Sequence, residues 1–451
     1  MNMRKQKTKR YGVNKTRTIA LNFMAIIFIG ACLLTLPVSS KSGQWTDFMT
    51  ALFTATSASC VTGLVLVDTF SHWSVFGQIL ILIMIQIGGL GTIAIRILVA
   101  TFLRRNITLK ARNLLQESIN SLQIGGIVRL IRQALFGTLF FEGAGAFAMA
   151  FYFVPRLGWG RGIYYSIFHA ISAFCNAGFD LMGYQGEYVS FVSAVDHPLI
   201  NIPIMLLIII GGLGFIVWMD IWKEKLHFRK YQFHTKMVLT TTAVLVFGGA
   251  VVFWLLESDA SMAGLSVKGK IYASLFASVT ARTAGFNTID TALMSEGGKL
   301  FNAVLMFIGG SPGSTAGGVK TTSIAVIFFY MLAYLRGKHG AEVFGRRISD
   351  ETVRKAVTVF VLNLFLALSA ILIINGIEKL PLLDLTFEAF SAIGTVGMST
   401  GLTRDLGTVG RILIMILMFL GRVGSMSFAF SFYERKPVPK VQLPEVEVPV
   451  G

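Results

Sequence analysis

Charge is scarce in this chain. Only 14% of its 451 residues are Asp, Glu, Lys or Arg, against 54% hydrophobic. Mean hydropathy is +0.68, and the balance excludes a water-soluble protein of this size. Acids are scarcer still, 23 against 40 bases, for a net charge of +17. Such an excess could signal nucleic acid. Here it is set among apolar runs of about 20 residues, the length that crosses a bilayer core. In that setting basic loops mark the cytoplasmic face and its anionic lipids, so lipid and not nucleic acid is the expected neighbour. Cysteine is nearly missing: Cys32, Cys60 and Cys175 are an odd, sparse set in apolar surroundings, which argues against a disulfide framework. No GxSxG elbow, paired histidine or convergent acid, base or metal cluster is present, so the chain reads as no enzyme. The first 17 residues are basic and polar, and no cleavable signal peptide is expected.

What the chain does have is a repeat. It reads IGGLG at 87–91 and 210–214, IGGSPG at 308–313 and LGRVG at 420–424. A second element precedes each: SASCVTGL at 57–64, SAFCNAGF at 172–179, VTARTAGF at 279–286 and SAIGTVGM at 391–398. Its seventh residue is always glycine, Gly63, Gly178, Gly285 and Gly397, standing 25, 33, 24 and 24 residues before the following GG or GR pair. Upstream of each lies an apolar span, near 18–36, 134–154, 237–256 and 357–375. The segments between, such as DFMTALFTATSAS and YYSIFHAISAF, are too short to cross and suit re-entrant hairpins.

The expected fold is an all-α polytopic membrane protein of four pseudo-symmetric repeats of helix, pore helix, filter and helix around a central pore, with eight spans and four re-entrant hairpins. The expected divisions are a basic tail at 1–17, repeats at 18–102, 127–226, 236–336 and 354–433, and a proline-rich tail at 434–451. The tail carries seven Lys or Arg and no acid, and the joins FLRRNITLKAR, KEKLHFRK and LRGKHG are basic, which places both termini in the cytoplasm. Asp68, Asp180, Glu187, Glu257 and Asp259 fall in outer connections, where they would attract cations or serve as ordinary solvated charge.

Non-helical backbone at membrane depth is tolerated only where protein buries it or water lines it. Four hairpin tips converging on one axis meet that condition, and their carbonyls can replace the hydration shell of a cation. Glycine reaches positive φ without a Cβ penalty. Helix packing explains IGGLG well. It explains the seventh-position glycine less well, because CVTG, CNAG, RTAG and GTVG break the apolar pattern with polar residues.

These filter elements, the fourfold plan and the broken third-repeat helix resemble the Trk/Ktr/HKT superfamily of potassium and sodium transporters, nearest the membrane subunits of bacterial Ktr systems. The resemblance covers residues 18–433 and implies potassium uptake across the bacterial plasma (inner) membrane, with K+ held at backbone carbonyls. Filter strands would then comprise Cys60, Val61, Thr62 and Gly63; Cys175, Asn176, Ala177 and Gly178; Arg282, Thr283, Ala284 and Gly285; and Gly394, Thr395, Val396 and Gly397. Sodium-selective plant members place serine where this chain has Gly63, which implies potassium; one shared glycine per strand implies a less strict filter than in tetrameric potassium channels. The resemblance further implies a homodimer and a cytoplasmic KtrA-like ring that binds nucleotide, with no cofactor on this chain. Na+ as an activator, and channel against sodium-coupled uptake, stay open. An alternating-access secondary cation transporter is the alternative, disfavoured because all four units share one orientation.

The stretch IGGSPGSTAGGVKTT at 308–322 interrupts an apolar helix. A phosphate-binding loop needs Lys directly after its last glycine. Here Val319 separates Gly318 from Lys320, and a helix, not a strand, precedes the loop. About nine apolar residues come first, which at ~1.5 Å each reach mid-membrane. The resemblance gives this loop the role of an intramembrane gate: Gly309, Gly310, Ser311, Pro312, Gly313, Ser314, Thr315, Ala316, Gly317, Gly318, Val319 and Lys320. Lys320 could assist the gate or approach the cytoplasmic surface. Arg422 stands where the fourth repeat should read GG; a charge at that depth is costly and usually functional, and in the family it faces the gate loop as a barrier to cations. Glu142 and His169 read as structural, Arg282 as an anchor of its pore helix, and Arg96 is unexplained.

Overall fold

Each repeat begins with a long apolar helix that hydropathy alone would place across a bilayer: α1 (Lys15–Thr35), α5 (Ile127–Leu157), α9 (Phe233–Glu257) and α13 (Asp350–Glu378). The computed structural model describes residues 15–91, 127–225, 227–338 and 340–425. Arg96, the join at 102–112, most of the basic tail and the proline-rich tail lie outside the described residues.

After the first helix the chain turns back into a shorter one: α2 (Phe48–Cys60), α6 (Trp159–Phe174), α10 (Val267–Thr280) and α14 (Leu382–Gly394). Asp47 accepts from Thr50 N at 3.0 Å and Ser266 from Gly269 N at 3.0 Å, so polar caps fix where α2 and α10 start. The far ends of all four helices are buried, although several of their residues are Ser, Thr or Ala. Small side chains let helices meet closely where the surroundings are apolar.

A second helix then leaves the centre: α4 (Val75–Leu90), α7 (Pro198–Leu213), α11 (Glu296–Phe307) and α16 (Thr408–Val423). Short α3 (Thr69–His72) and α15 (Leu402–Asp405) lie in the connections that follow the glycine strands. Here the fold adds something the hydropathy pattern hides. The second helices of repeats one, two and four end on the last glycine of the IGGLG-type motif. Gly91, Gly214 and Gly424 have φ of 86°, 97° and 91°. At Gly214 the chain bends by 97° into α8 (Phe215–Glu224). In repeat three, residues 308–320 separate α11 from α12 (Thr321–Leu335). Among the described residues, four helices are long and apolar enough to span, or five if the bent pair is one span.

The four repeats close head to tail. The second helix of each packs on the next repeat's pore helix: α4 on α6, α7 on α10, α11 on α14, and α16 on α2. One continuous core joins residues from all four repeats. A smaller cluster includes α12 and the hairpin of β1 (Glu342–Val343) and β2 (Arg346–Arg347). Glu257, expected at the outer mouth, is instead fully buried, because it accepts from Ser295 N at 3.1 Å and from the hydroxyls of Ser295 and Ser261 at 2.6 Å. It holds Ser295, the N-cap of α11.

Candidate functional site

The four pore helices deliver their C-terminal residues to one place. Each tip leaves the helix through a left-handed residue: Val61 (φ 56°), Asn176 (60°), Thr283 (80°) and Thr395 (52°). Two residues on, Gly63, Gly178, Gly285 and Gly397 are left-handed too, at 98°, 71°, 79° and 91°. The glycines fit the expectation. The positions before them do not follow from composition, since left-handed backbone is costly for Val and Thr and persists only where packing overdetermines it.

The glycines meet in a ring. A Cβ added to Gly63 would stand 2.5 Å from the Ala177 carbonyl oxygen, one on Gly178 2.7 Å from that of Ala284, and one on Gly285 2.5 Å from that of Val396. One on Gly397 would run into the Thr62 oxygen and close the circle. Thr62, Ala177, Ala284 and Val396 are buried, yet among the described residues their carbonyl oxygens accept no hydrogen bond. Buried carbonyls are almost always paired. Four unpaired ones, in equivalent positions around a ring, form an oxygen-rich site that suits a dehydrated cation.

Hydroxyls on the pore helices brace these strands in two ways. Ser57 and Ser391 accept from Gly63 N and Gly397 N at 3.0 Å. Ser172 and Thr280 donate instead to the carbonyls of Phe179 and Phe286, at 2.7 and 2.8 Å. His169 is wholly buried; its Nδ1 lies 2.8 Å from the Tyr165 carbonyl, to which it donates, and its Nε2 accepts from Leu181 N at 3.0 Å. Arg282 turns away from the ring toward Thr242 Oγ1, 3.4 Å distant on α9. Its side chain anchors the helix end, and only its backbone stays with the strand. Glu142 accepts from Gln86 at 3.0 Å, and the Gln86 oxygen accepts from the Cys175 thiol at 3.3 Å.

Outside the ring lies a cavity of about 360 Å³ lined by all four glycines. Asp68, Asp180, Glu187 and Asp290 also line it, with Arg404. Burial pushes the Asp180 carboxyl up to about 7, and Asp68 nearby pushes the same way, against hydrogen bonds from Met182 N and Ser190. Asp259 pairs with Lys270 at 4.0 Å and is not among the lining residues.

On the other side of the ring the repeat-three loop folds on itself. Gly309 N donates to Val319 O at 2.8 Å and Thr321 N to Gly310 O at 3.1 Å. Its tip docks on repeat two: Ser311 N and Thr315 N donate to Gly212 O and Gly211 O, and Phe215 N to Gly313 O. Ser314 bonds Ser311 O at 2.7 Å, while Pro312 and Ala316 fill the turn between glycines. Gly317 lies against the Thr395 side chain and Gly318 against Gly394, so the loop reaches the underside of the fourth strand. Lys320 turns back into the loop, donating to Ala316 O at 2.7 Å and Gly317 O at 3.2 Å. Arg422 ties the assembly together. It donates to Thr315 O in the loop and to Gly88 O and Gly89 O at the end of α4, the last at 3.0 Å. No carboxylate pairs with it among the described residues.

The sequence profile of the family described as TrkH, cation transport protein, matches residues 1–442. The potassium/sodium uptake protein NtpJ of Enterococcus hirae is 42% identical over 95% of this chain and 94% of its own length. The Ktr system potassium uptake protein B of Bacillus subtilis is 40% identical over 96% of both chains. The crystal structure of the potassium transporter TrkH from Vibrio parahaemolyticus superposes with a TM-score of 0.73, covering 95% of this chain and 87% of that one. At 16% identity that likeness speaks for the fold alone.

Proposed function

The chain belongs to the TrkH family of cation transport proteins, a multi-pass bacterial membrane protein, and from that premise we propose that it takes up potassium through the glycine ring under control of the loop beneath it. The single observation that carries this reading is the set of four buried, donor-free carbonyls, of Thr62, Ala177, Ala284 and Val396, each against the preceding repeat's glycine around the ring. Such a ring replaces water around a bare ion from all sides. Residues 60–63, 175–178, 282–285 and 394–397 are the filter strands. Gly309–Lys320 is the gate, with Arg422 as its latch: a guanidinium held by three carbonyls at membrane depth repels cations and fixes the loop across their route.

The names of the similar proteins supply the ion. Relatives called potassium, or potassium and sodium, uptake proteins favour K+ as cargo and leave Na+ as a second cargo or activator. The Ktr system name supports a separate regulatory subunit, of the nucleotide-binding KtrA-like kind, on the basic cytoplasmic face, and a homodimer completes the proposed assembly. Alternating access is the second reading. The bend at Gly214 and the break at 308–320 favour it, since broken helices bind substrate in such transporters.

The test is ion flux in proteoliposomes with potassium and sodium gradients varied independently. Potassium flux down its own gradient, without a sodium gradient, is the expected result. Strict dependence of potassium movement on a sodium gradient would favour alternating access, and flux equal to protein-free liposomes would end the proposal.

A further inference from the structure

The outer cavity holds a cation of its own. Arg404 lines it together with the four ring glycines, and among the described residues no carboxylate lies within salt-bridge distance of its guanidinium. The side chain is nevertheless held. Gly401, at φ 102°, caps α15, and Arg404 Nε donates to the Gly401 carbonyl at 3.3 Å. The guanidinium carbon lies 4.2 Å from the centre of the Tyr188 ring. Tyr188 is itself fixed: its N–H donates to Asp68 at 3.4 Å and its hydroxyl to Leu66 O at 3.4 Å. It belongs to a strap in which Tyr188 and Ser190 are both left-handed, at φ 62° and 48°. Phe191 N at the strap's end donates to Asn287 O at 2.8 Å. The strap, from repeat two, thus touches repeats one, three and four at the mouth.

Three of the four acids that line the same cavity are engaged locally. Asp68 accepts from Ser71 N at 2.7 Å, Asp180 from Met182 N at 2.9 Å and Asp290 from Ala292 N at 2.9 Å. Arg404 meets an aromatic face instead of an opposite charge, so its field is not cancelled by a contact ion pair.

We propose that Arg404, stacked on Tyr188, lowers cation occupancy at the outer mouth and so sets the potassium concentration for half-maximal uptake. This rests on the transport reading above. The arginine acts through its field at the mouth, without coordinating the ion, and such an action is screened by salt.

The experiment uses the full chain in proteoliposomes, with initial potassium flux measured at low and high ionic strength set by an impermeant organic cation. For Arg404→Gln the half-saturating potassium concentration should fall about three- to tenfold at low ionic strength, at unchanged maximal flux, and the gap should close at high ionic strength. Arg404→Lys, which keeps the charge, should retain the wild-type constant and shows that the position tolerates substitution. A Gln variant indistinguishable from wild type at low ionic strength would overturn the inference. So would a shift of equal size at both ionic strengths, the mark of altered packing. Wild-type flux at the level of empty liposomes would fell the transport reading, and this one with it.

Discussion

Four strands, one from each repeat, build the glycine ring, but a single repeat builds the loop beneath it. The ring uses near-equivalent backbone: left-handed, one residue, left-handed glycine, in every strand. The loop exists only because repeat three reads IGGSPGSTAGGVK where the others end the helix at one glycine. Under the proposed transport reading the difference has a physical sense. Surrounding a bare ion requires oxygens on all sides, so every repeat must contribute alike. Occluding a route requires matter on one side only, so one repeat suffices and the other three can supply docking points: Gly211 and Gly212 from repeat two, Gly421 from repeat four, and, through Arg422, Gly88 and Gly89 from repeat one.

The sharpest way to break this contrast is to strike the ring. Gly285→Ser puts a Cβ 2.5 Å from the Val396 oxygen and forces a side chain into left-handed backbone, a strain of about 1–2 kcal/mol before the clash is added. Selectivity for potassium over sodium should fall about tenfold or more, measured as the ratio of the two fluxes, because each 1.4 kcal/mol is a factor of ten. Unchanged potassium and sodium fluxes would refute it.

Striking the loop should do the reverse. Arg422→Ala removes the donor to Thr315, Gly88 and Gly89, and charge-assisted bonds are worth about 1.5–3 kcal/mol each. Flux without any regulatory subunit should rise severalfold to about tenfold while the potassium-to-sodium ratio stays put. A lost ratio with unaltered basal flux would mean that ring and loop are not separable devices.

The smallest effect belongs to Asp180 in the outer cavity. With Asp180 pushed up to about 7, its carboxyl is largely charged at pH 8 and largely neutral at pH 6. Acidification thus removes negative charge from the mouth, and the half-saturating potassium concentration should rise about twofold between pH 8 and pH 6. Asp180→Asn should remove that dependence and hold the constant near its acid value. A pH response of the same size in the Asn variant would assign the titration elsewhere.

Much of the plan was legible because it is periodic. The seventh-position glycine, the apolar span before it and the GG pair after it mark the ring and the repeats without any contact information. The lysine one residue too late argued against a phosphate loop; in the fold Lys320 donates to Ala316 O and Gly317 O of its own loop. Other features were hidden because they are set by tertiary contact. Val61, Thr283 and Thr395 are β-branched residues in left-handed backbone, which no local propensity anticipates. Glu257 looked like mouth charge because sequence places it in an outer connection; only the fold shows two serines closing over it. Arg404 sits in a short polar connection where arginine is commonplace, and its role comes from a tyrosine 216 positions away in the chain. The glycine ending each IGGLG-type motif was a usable signal for the helix breaks, since a left-handed glycine is a common helix terminator.

The head-to-tail packing of α16 on α2 has a consequence for biogenesis. Arg422 reaches back 334 positions to Gly88, and the fourth glycine meets the Thr62 oxygen of the first strand. A ribosome must therefore insert nearly the whole polypeptide before the first re-entrant hairpin gains its last neighbour. Until then the nascent membrane protein carries an open seam of polar peptide groups, a state that lipid cannot satisfy and that a holding factor or a hydrated insertion channel must shield.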